Sequence, residues 1–439
     1  MISALAAPEC LSSLPGRLRV ERLANGLTVA LLENRQAPLV TSALYYRAGT
    51  RDEAPGQGGI AHFLEHMMFK GAGRYGPGEI DRVTQSLGGA NNAFTSHDAT
   101  TYYFNFAADR WTEALRIEAD RMAGLALLPE AVGSERQVIL EEIAMYESEP
   151  WDALEVAVHA RLFSGHPYGK AVLGTREELL AIGPAELRAF HRRLYRPGNA
   201  VLVVSGEIDD GALPAIEETL GALPAHPELD DSVLGGPSPE RNAPASRPPR
   251  ERPHALERVE RIKGEVARLM LALPAPAGSH PDHPALRMAT ILLGGGRMSR
   301  LQRPLVDDEQ LCAWLSVDLS EGLDASLLVV AAEVVPDVEP ARVEARVLEL
   351  IAELRRRPPG ASELERCRRI AHADWVFDHE KLHQQALSLG LALALFDLDH
   401  LDGYLERLQA VGIDEVLDAA ERYLRPEKGA VLGWSLPKS

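Results

Sequence analysis

The sequence predicts an α+β protein of two similar mixed sheet-and-helix domains joined by a linker. Three observations point there. First, 439 residues exceed one ordinary core and suggest two domains of roughly 200 residues each. Second, stretches with alternating apolar residues and stretches with helical spacing are mixed without strict βαβ alternation, which disfavours a doubly wound sheet. Third, the composition shifts in the middle. His226–Ala255 is dense in proline and charge and nearly free of aromatic or β-branched residues, as an extended surface linker is. The division is therefore 1–225, a linker at 226–255, and 256–439.

In the first half, LRVERLANGLTVALLEN (Leu18–Asn34) alternates apolar residues around Asn25-Gly26, a hairpin turn. A second strand, LVTSALYYRAG, leads through a Gly/Pro loop into the helical segment GGIAHFLEHMMFKG (Gly58–Gly71). A short helix follows Gly78. The stretch ANNAFTSHDATTYYFNF reads as a strand pair, its first member edge-like, and helices are expected over Asp109–Leu127 and Glu130–Met145. A helix near Glu186–Leu194 and the strand Asn199–Ile208 close this half. In the second half, ARLMLALPAP, ASLLVVAAEVV and GAVLGWSL read as strands. Helices are expected at HPALRMATILLGG, Glu339–Arg355, Ser362–Phe377 and Leu382–Ala394. The similar order of elements suggests an internal duplication.

Composition, with 46% hydrophobic and 25% charged residues, is that of a globular protein that forms a core. A formal net charge of −18 without an offsetting basic stripe argues against nucleic acid or an anionic membrane as partner. Cys10, Cys312 and Cys367 show no C-x-x-C spacing and read as unpaired thiols of a reducing compartment. The first residues lack a basic start and a leader-length apolar run, so a cytoplasmic location is expected, or a periplasmic one if a leader was removed. The apolar run Ala386–Phe396 is about half of a membrane span and reads as a buried helix.

An apolar helix carrying His62, Glu65 and His66 needs a reason, because each polar side chain must find a partner there. Residues four apart share a helix face, so His62 and His66 can point two imidazoles at one ion, an arrangement that suits zinc. Glu65 lies beside that face, placed to act on a water rather than on the ion. The pattern is H-x-x-E-H, the reverse of H-E-x-x-H. A third ligand is sought on the helix Glu130–Met145, where Glu135 and Glu142 stand seven apart and face the same way. Glu141, a step of about 100° away, faces elsewhere. Two histidines, one carboxylate and an open position make the usual hydrolytic zinc site.

These residues resemble the M16 (pitrilysin-like, inverzincin) zinc metallopeptidases, in particular the small two-domain type that includes the mitochondrial processing peptidase. The resemblance rests on His62-x-x-Glu65-His66, on ERQVILEE with Glu142, on NNAFTSHDATTYYF and on HPYGKAVLG (His166–Gly174). It implies one Zn2+ per chain held by His62, His66 and Glu142. It further implies Glu65 as general base and Glu135 as the family's second essential glutamate. The strand Ala90–Ser96 would receive the peptide substrate as an added strand, with Asn92 and Ala93 near the scissile bond. His97 reads as a surface residue.

The chain departs from the family in its second half. There the family pattern has an Arg and, seven residues on, a Tyr after the glycine run; the corresponding positions hold Val306 or Asp307, then Ala313 or Trp314. Family members close a chamber from four such domains, and this chain supplies two, half of a clamshell. The resemblance thus implies a homodimer, or a heterodimer with a related chain that lacks the zinc motif. The expected activity is zinc-dependent endopeptidase cleavage of peptides or small unfolded proteins. The alternatives are a catalytically weak assembly homologue that needs a partner chain, and a zinc hydrolase of non-peptide amides.

Overall fold

The computed structural model describes residues 3–4, 10–11, 13–225 and 253–438. The linker expected at 226–255 lies outside the described residues as far as residue 252. Two sheets organise the chain, and the α+β expectation holds. The first sheet contains β1 (Ser3–Ala4), β2 (Arg17–Arg22), β3 (Thr28–Glu33), β4 (Leu39–Tyr46), β5 (Ala90–Thr95), β6 (Thr100–Ala107) and β7 (Ala200–Gly206), in the order β1-β2-β3-β7-β4-β6-β5. The second contains β8 (Leu256–Ile262), β9 (Arg268–Ala275), β10 (Cys312–Leu319), β11 (Ser326–Val334) and β12 (Ala430–Leu436), in the order β10-β11-β9-β12-β8.

The duplication is explicit in the pairing. From β3 the first sheet runs parallel to β7, then antiparallel through β4 and β6 to β5. From β8 the second runs parallel to β12, then antiparallel through β9 and β11 to β10. Five strands thus repeat the same order and senses. The β2–β3 hairpin turns where expected, with Gly26 at φ 89 and Leu23 N bonded to Leu27 O at 2.9 Å.

Helices cover the first sheet: α1 (Ile60–Met67), α2 (Glu79–Ser86), α3 (Thr112–Ala123) and α4 (Pro129–Ser148) precede α5 (Pro150–Leu162) in the chain. The core of the first unit gathers Phe63, Leu64 and Met67 of α1, Leu115 of α3 and Ile139 of α4 against Leu44, Tyr102 and Leu202 of the sheet.

The compact units do not follow the chain. One comprises Met1–Ile143, Ala171–Ala243 and Asp378–Gly403; the other comprises Ala144–Lys170, Pro244–Phe377 and Tyr404–Ser439. The linear division at 1–225, 226–255 and 256–439 therefore misassigns two helices. Helix α5 places Leu154, Val158 and Leu162 against Met270, Ala272 and Val431 of the second sheet. Conversely, the helix Leu382–Leu395 belongs to the first unit, where Arg47 holds its last turn by bonds to the carbonyls of Leu393 and Ala394 at 2.9 and 2.7 Å. This is the apolar run expected to be a buried helix. Among the described residues no helix is long and apolar enough to cross a membrane.

Candidate metal centre

Helix α1 begins at Gly59, whose φ of 86 lies in the left-handed region. A Cβ there would overlap the carbonyl of Leu173, so only glycine lets that segment approach the helix start. No side chain of the cap residue serves the first turn. Glu53 does instead, its Oε1 accepting from Gly59 N at 3.0 Å and Ala61 N at 3.2 Å, with its negative charge at the positive helix end. Ile60, Phe63, Leu64 and Met67 are fully buried, and this packing fixes the rotation of α1 and hence the direction of its histidines.

His62, His66 and Glu142 come together: one donor atom from each lies within 4.8 Å of the others. Glu142 Oε2 is 3.8 Å from His62 Nε2 and 3.6 Å from His66 Nε2. Tetrahedral zinc with bonds of about 2.0–2.1 Å spaces its ligand atoms roughly 3.4 Å apart, close to the two Glu142–histidine separations. The bland reading, a polar cluster satisfied internally, meets an obstacle at His62. Its Nδ1 is buried without a hydrogen-bond partner, and its Nε2 is too far from Glu142 for a hydrogen bond. Burial, helped by the charge of His66, pushes the His62 imidazole down to about 3, so this ring is neutral and its lone pair is free to bind a metal.

His66 is set differently. Its Nδ1 meets Glu135 Oε1 at 2.9 Å, and the second oxygen of Glu135 meets Lys70 Nζ at 2.7 Å. A carboxylate behind an imidazole orients the ring and directs the other nitrogen outward. Burial works against a charged His66, but the Glu135 bond and the Glu142, Glu135 and Glu65 carboxylates outweigh it and raise its pKa. Glu135 also shifts against its own desolvation: the His66 and Lys70 bonds hold it below the ordinary carboxylate value. Glu135 is thus buried behind His66 and orients it, whereas the half-buried Glu142 faces the histidines' outward nitrogens. Glu141 is exposed, as its helical position requires.

Glu65 is half-buried beside the triad, and Thr95 Oγ1 donates to its Oε2 at 2.5 Å. Desolvation raises its pKa; the Thr95 bond and His66 oppose that, while Glu142 adds to it. A carboxylate so placed is a stronger base than one in water. Strand β5 lies at the sheet edge, with Asn92 exposed, Ala93 half-buried and Asn92 Oδ1 accepting from Ala93 N at 2.9 Å. His97 is not a simple surface residue: it is half-buried, its Nδ1 2.6 Å from Thr50 Oγ1. Val306 and Asp307 lie on the π-helical turn Arg303–Asp308, and Ala313 and Trp314 lie on β10.

Two participants were missed in the sequence. Lys70 follows His66 by one turn, a spacing that signals a shared face. Thr95 gives no such signal, because only the fold brings β5 to α1.

The model for insulinase-type peptidases of family M16 matches residues 28–176, and that for the M16 inactive domain matches 181–371. A zinc protease of Mycobacterium bovis, itself described as uncharacterized, is 30% identical over 347 residues, 78% of this chain and 74% of that protein. This chain belongs to the M16 peptidase family. Another M16 relative, zinc protease PqqE of Helicobacter pylori, is 26% identical over 406 residues, covering 92% of this chain and 89% of that one. Among solved structures, a protease from Helicobacter pylori superposes with a TM-score of 0.87 at 23% identity, over 96% of this chain and 100% of that one. The periplasmic protease PqqL from Escherichia coli superposes with a TM-score of 0.76 at 19% identity, over 97% of this chain but 48% of that one. The M16 chain described here thus spans about half of PqqL. At these identities the two structures speak for the fold.

Proposed function

We propose that the chain is a zinc-dependent endopeptidase that hydrolyses peptides or small unfolded proteins. His62, His66 and Glu142 hold one Zn2+, Glu65 is the general base, and Glu135 orients His66. The observation that carries the reading is the convergence of two imidazole nitrogens and one carboxylate oxygen beside a second, half-buried carboxylate, that of Glu65. When bound, zinc supplies Lewis acidity, bringing the pKa of a water towards neutrality and polarising the scissile carbonyl. Glu65 takes the proton of the attacking water and passes it to the departing amine nitrogen, so the carboxylate is restored after each turnover. Lys70 neutralises Glu135 from behind and keeps its oxygen on His66. The β5 strand, which has a strand partner on one side only, offers its free edge to an extended peptide, with Asn92 and Ala93 beside the bond to be cut, and such pairing demands little of the peptide's sequence.

The site lies in one compact unit, and the wider chamber is proposed to close on pairing with a second M16 chain. This chain covers 48% of PqqL and 93% of a structure of PqqL's first half, so its match is one half of a longer polypeptide, which supports the pairing. The second chain is either an identical copy or a relative without the zinc motif. A homodimer would lack the Arg/Tyr pair on its closing surface, since Val306 or Asp307 and then Ala313 or Trp314 stand there, whereas a related chain could supply it.

The test is cleavage of an unstructured peptide of about 20–30 residues, long enough to form one extended strand. The zinc-loaded chain is compared with Glu65→Gln. Cleavage lost in the variant supports a self-sufficient peptidase. No cleavage by either, with zinc bound, directs the search to a partner chain.

A further inference from the structure

Glu65 receives one hydrogen bond among the described residues, from Thr95 Oγ1 to Oε2 at 2.5 Å. Thr95 ends β5 and stands opposite Thr100 on β6. The hydroxyl of Thr100 donates to the Ala48 carbonyl at 2.8 Å, and the two threonine oxygens are 3.4 Å apart. A hydroxyl has one proton to donate. That of Thr100 is committed to Ala48, so towards Thr95 it presents only a lone pair. The proton of Thr95 goes to the much nearer Glu65 oxygen. Thr95 acts as donor and Oε2 as acceptor, and the roles cannot reverse while Glu65 is a carboxylate.

The hairpin that carries Thr95 is fixed from several sides. Ser96 N bonds Ala99 O at 2.8 Å across its turn, and Arg51 meets Asp98 at 3.1 Å. Gly49 lies so close to the turn that a Cβ would overlap the carbonyl of His97. The terminal torsion of a glutamate is by contrast soft and roughly two-fold. A rigid donor beside a soft carboxylate selects one orientation of it.

We propose that Thr95 is a positioning residue for the hydrolysis: it pins Oε2 of Glu65 and leaves Oε1 as the oxygen that handles the proton. The proposal rests on the peptidase reading above. The attacking water gives a proton to Oε1 as its oxygen bonds the carbonyl carbon. The same proton leaves Oε1 for the amine nitrogen as the C–N bond breaks. The Thr95 proton stays on Oγ1 throughout, and Glu65 ends as it began.

The test compares steady-state peptide cleavage by the zinc-loaded chain and its Glu65→Gln, Thr95→Val and Thr95→Ser variants, with zinc content and thermal midpoint measured for each. Valine keeps the shape and strand preference of threonine but lacks the donor, whereas serine keeps the donor. Thr95→Val is expected to lower kcat about 10–100-fold, with KM, zinc content and midpoint unchanged. Thr95→Ser is expected to retain most of the rate. A Thr95→Val variant with unaltered kcat overturns the proposal and leaves the peptidase reading intact. A loss accompanied by lost zinc or a changed KM, or one that Thr95→Ser shares in full, makes the role structural and also overturns it. If the unaltered chain, alone and with a second M16 chain added, cleaves no faster than Glu65→Gln, the peptidase reading falls and the proposal with it.

Discussion

Arg121 has no exposed surface, and its guanidinium lies 4.5 Å from the ring centre of Tyr102 and 5.1 Å from that of Phe69. Glu118, one turn earlier and 1% exposed, is its charge partner. Removing one member of a buried pair leaves the other uncompensated, at a cost of about 3–5 kcal/mol. Urea unfolding of Glu118→Ala should show a loss of that size, and an unaltered midpoint would mean that the rings alone sustain the arginine. At the proposed metal centre, Glu135 bridges His66 and Lys70. Replacing it by glutamine should weaken zinc binding about 10–100-fold in competition with a chelator, without unfolding the apo chain. His62, Glu65 and His66 were legible because one helical turn contains them. Glu142 needed the resemblance to single it out from Glu135, since spacing alone left both facing the same way. Thr95 was illegible because its contact is tertiary.

At the scale of elements, the two reassigned helices show what local pattern can convey. The apolar run of Leu382–Leu395 announced a buried helix, but nothing in it names the sheet that buries it. Gly390 records the answer: a Cβ there would overlap the ring of Tyr45, whose hydroxyl donates to the Leu387 carbonyl at 2.8 Å. Gly390→Ala is expected to cost about 1–3 kcal/mol by overpacking, read as a lower urea midpoint; an unchanged midpoint would mean the ring yields freely. Helix α5 was not expected at all, since its apolar positions make sense only against β9 and β12, far away in sequence. Strand β8, LERVERI, was hidden by its charges, which an exposed edge strand tolerates. In the second unit, Arg300 grips Glu363 with two bonds of 2.9 Å and ties the glycine-rich turn to the helix Ala361–Asp378. Those bonds hold the Glu363 carboxyl below its ordinary value of 4.5. Its stabilising contribution is therefore present above the unfolded value and lost as pH falls through the folded one. The stability gap between the chain and Glu363→Gln should be open at neutral pH and closed in acid. A gap independent of pH would contradict this origin.

For the whole molecule, the sequence order of elements hinted at duplication, and five strands in the same order and senses carry it. Discontinuous units were beyond reach, because a division read along the chain has no means of assigning a helix to the distant half. The pairing proposal predicts that gel filtration with light scattering finds twice the chain mass, or that peptidase activity emerges only on adding a second M16 chain. A chain that is monomeric and fully active alone would contradict it. The central claim is that His62, His66 and Glu142 hold one zinc ion. The most direct measurement is anomalous X-ray scattering at the zinc edge from crystals of the zinc-loaded chain. The account predicts a single strong peak within about 2.0–2.2 Å of His62 Nε2, His66 Nε2 and a Glu142 oxygen, with Glu65 beside it and not bonded to it. No peak there, or one centred on other residues, would contradict it.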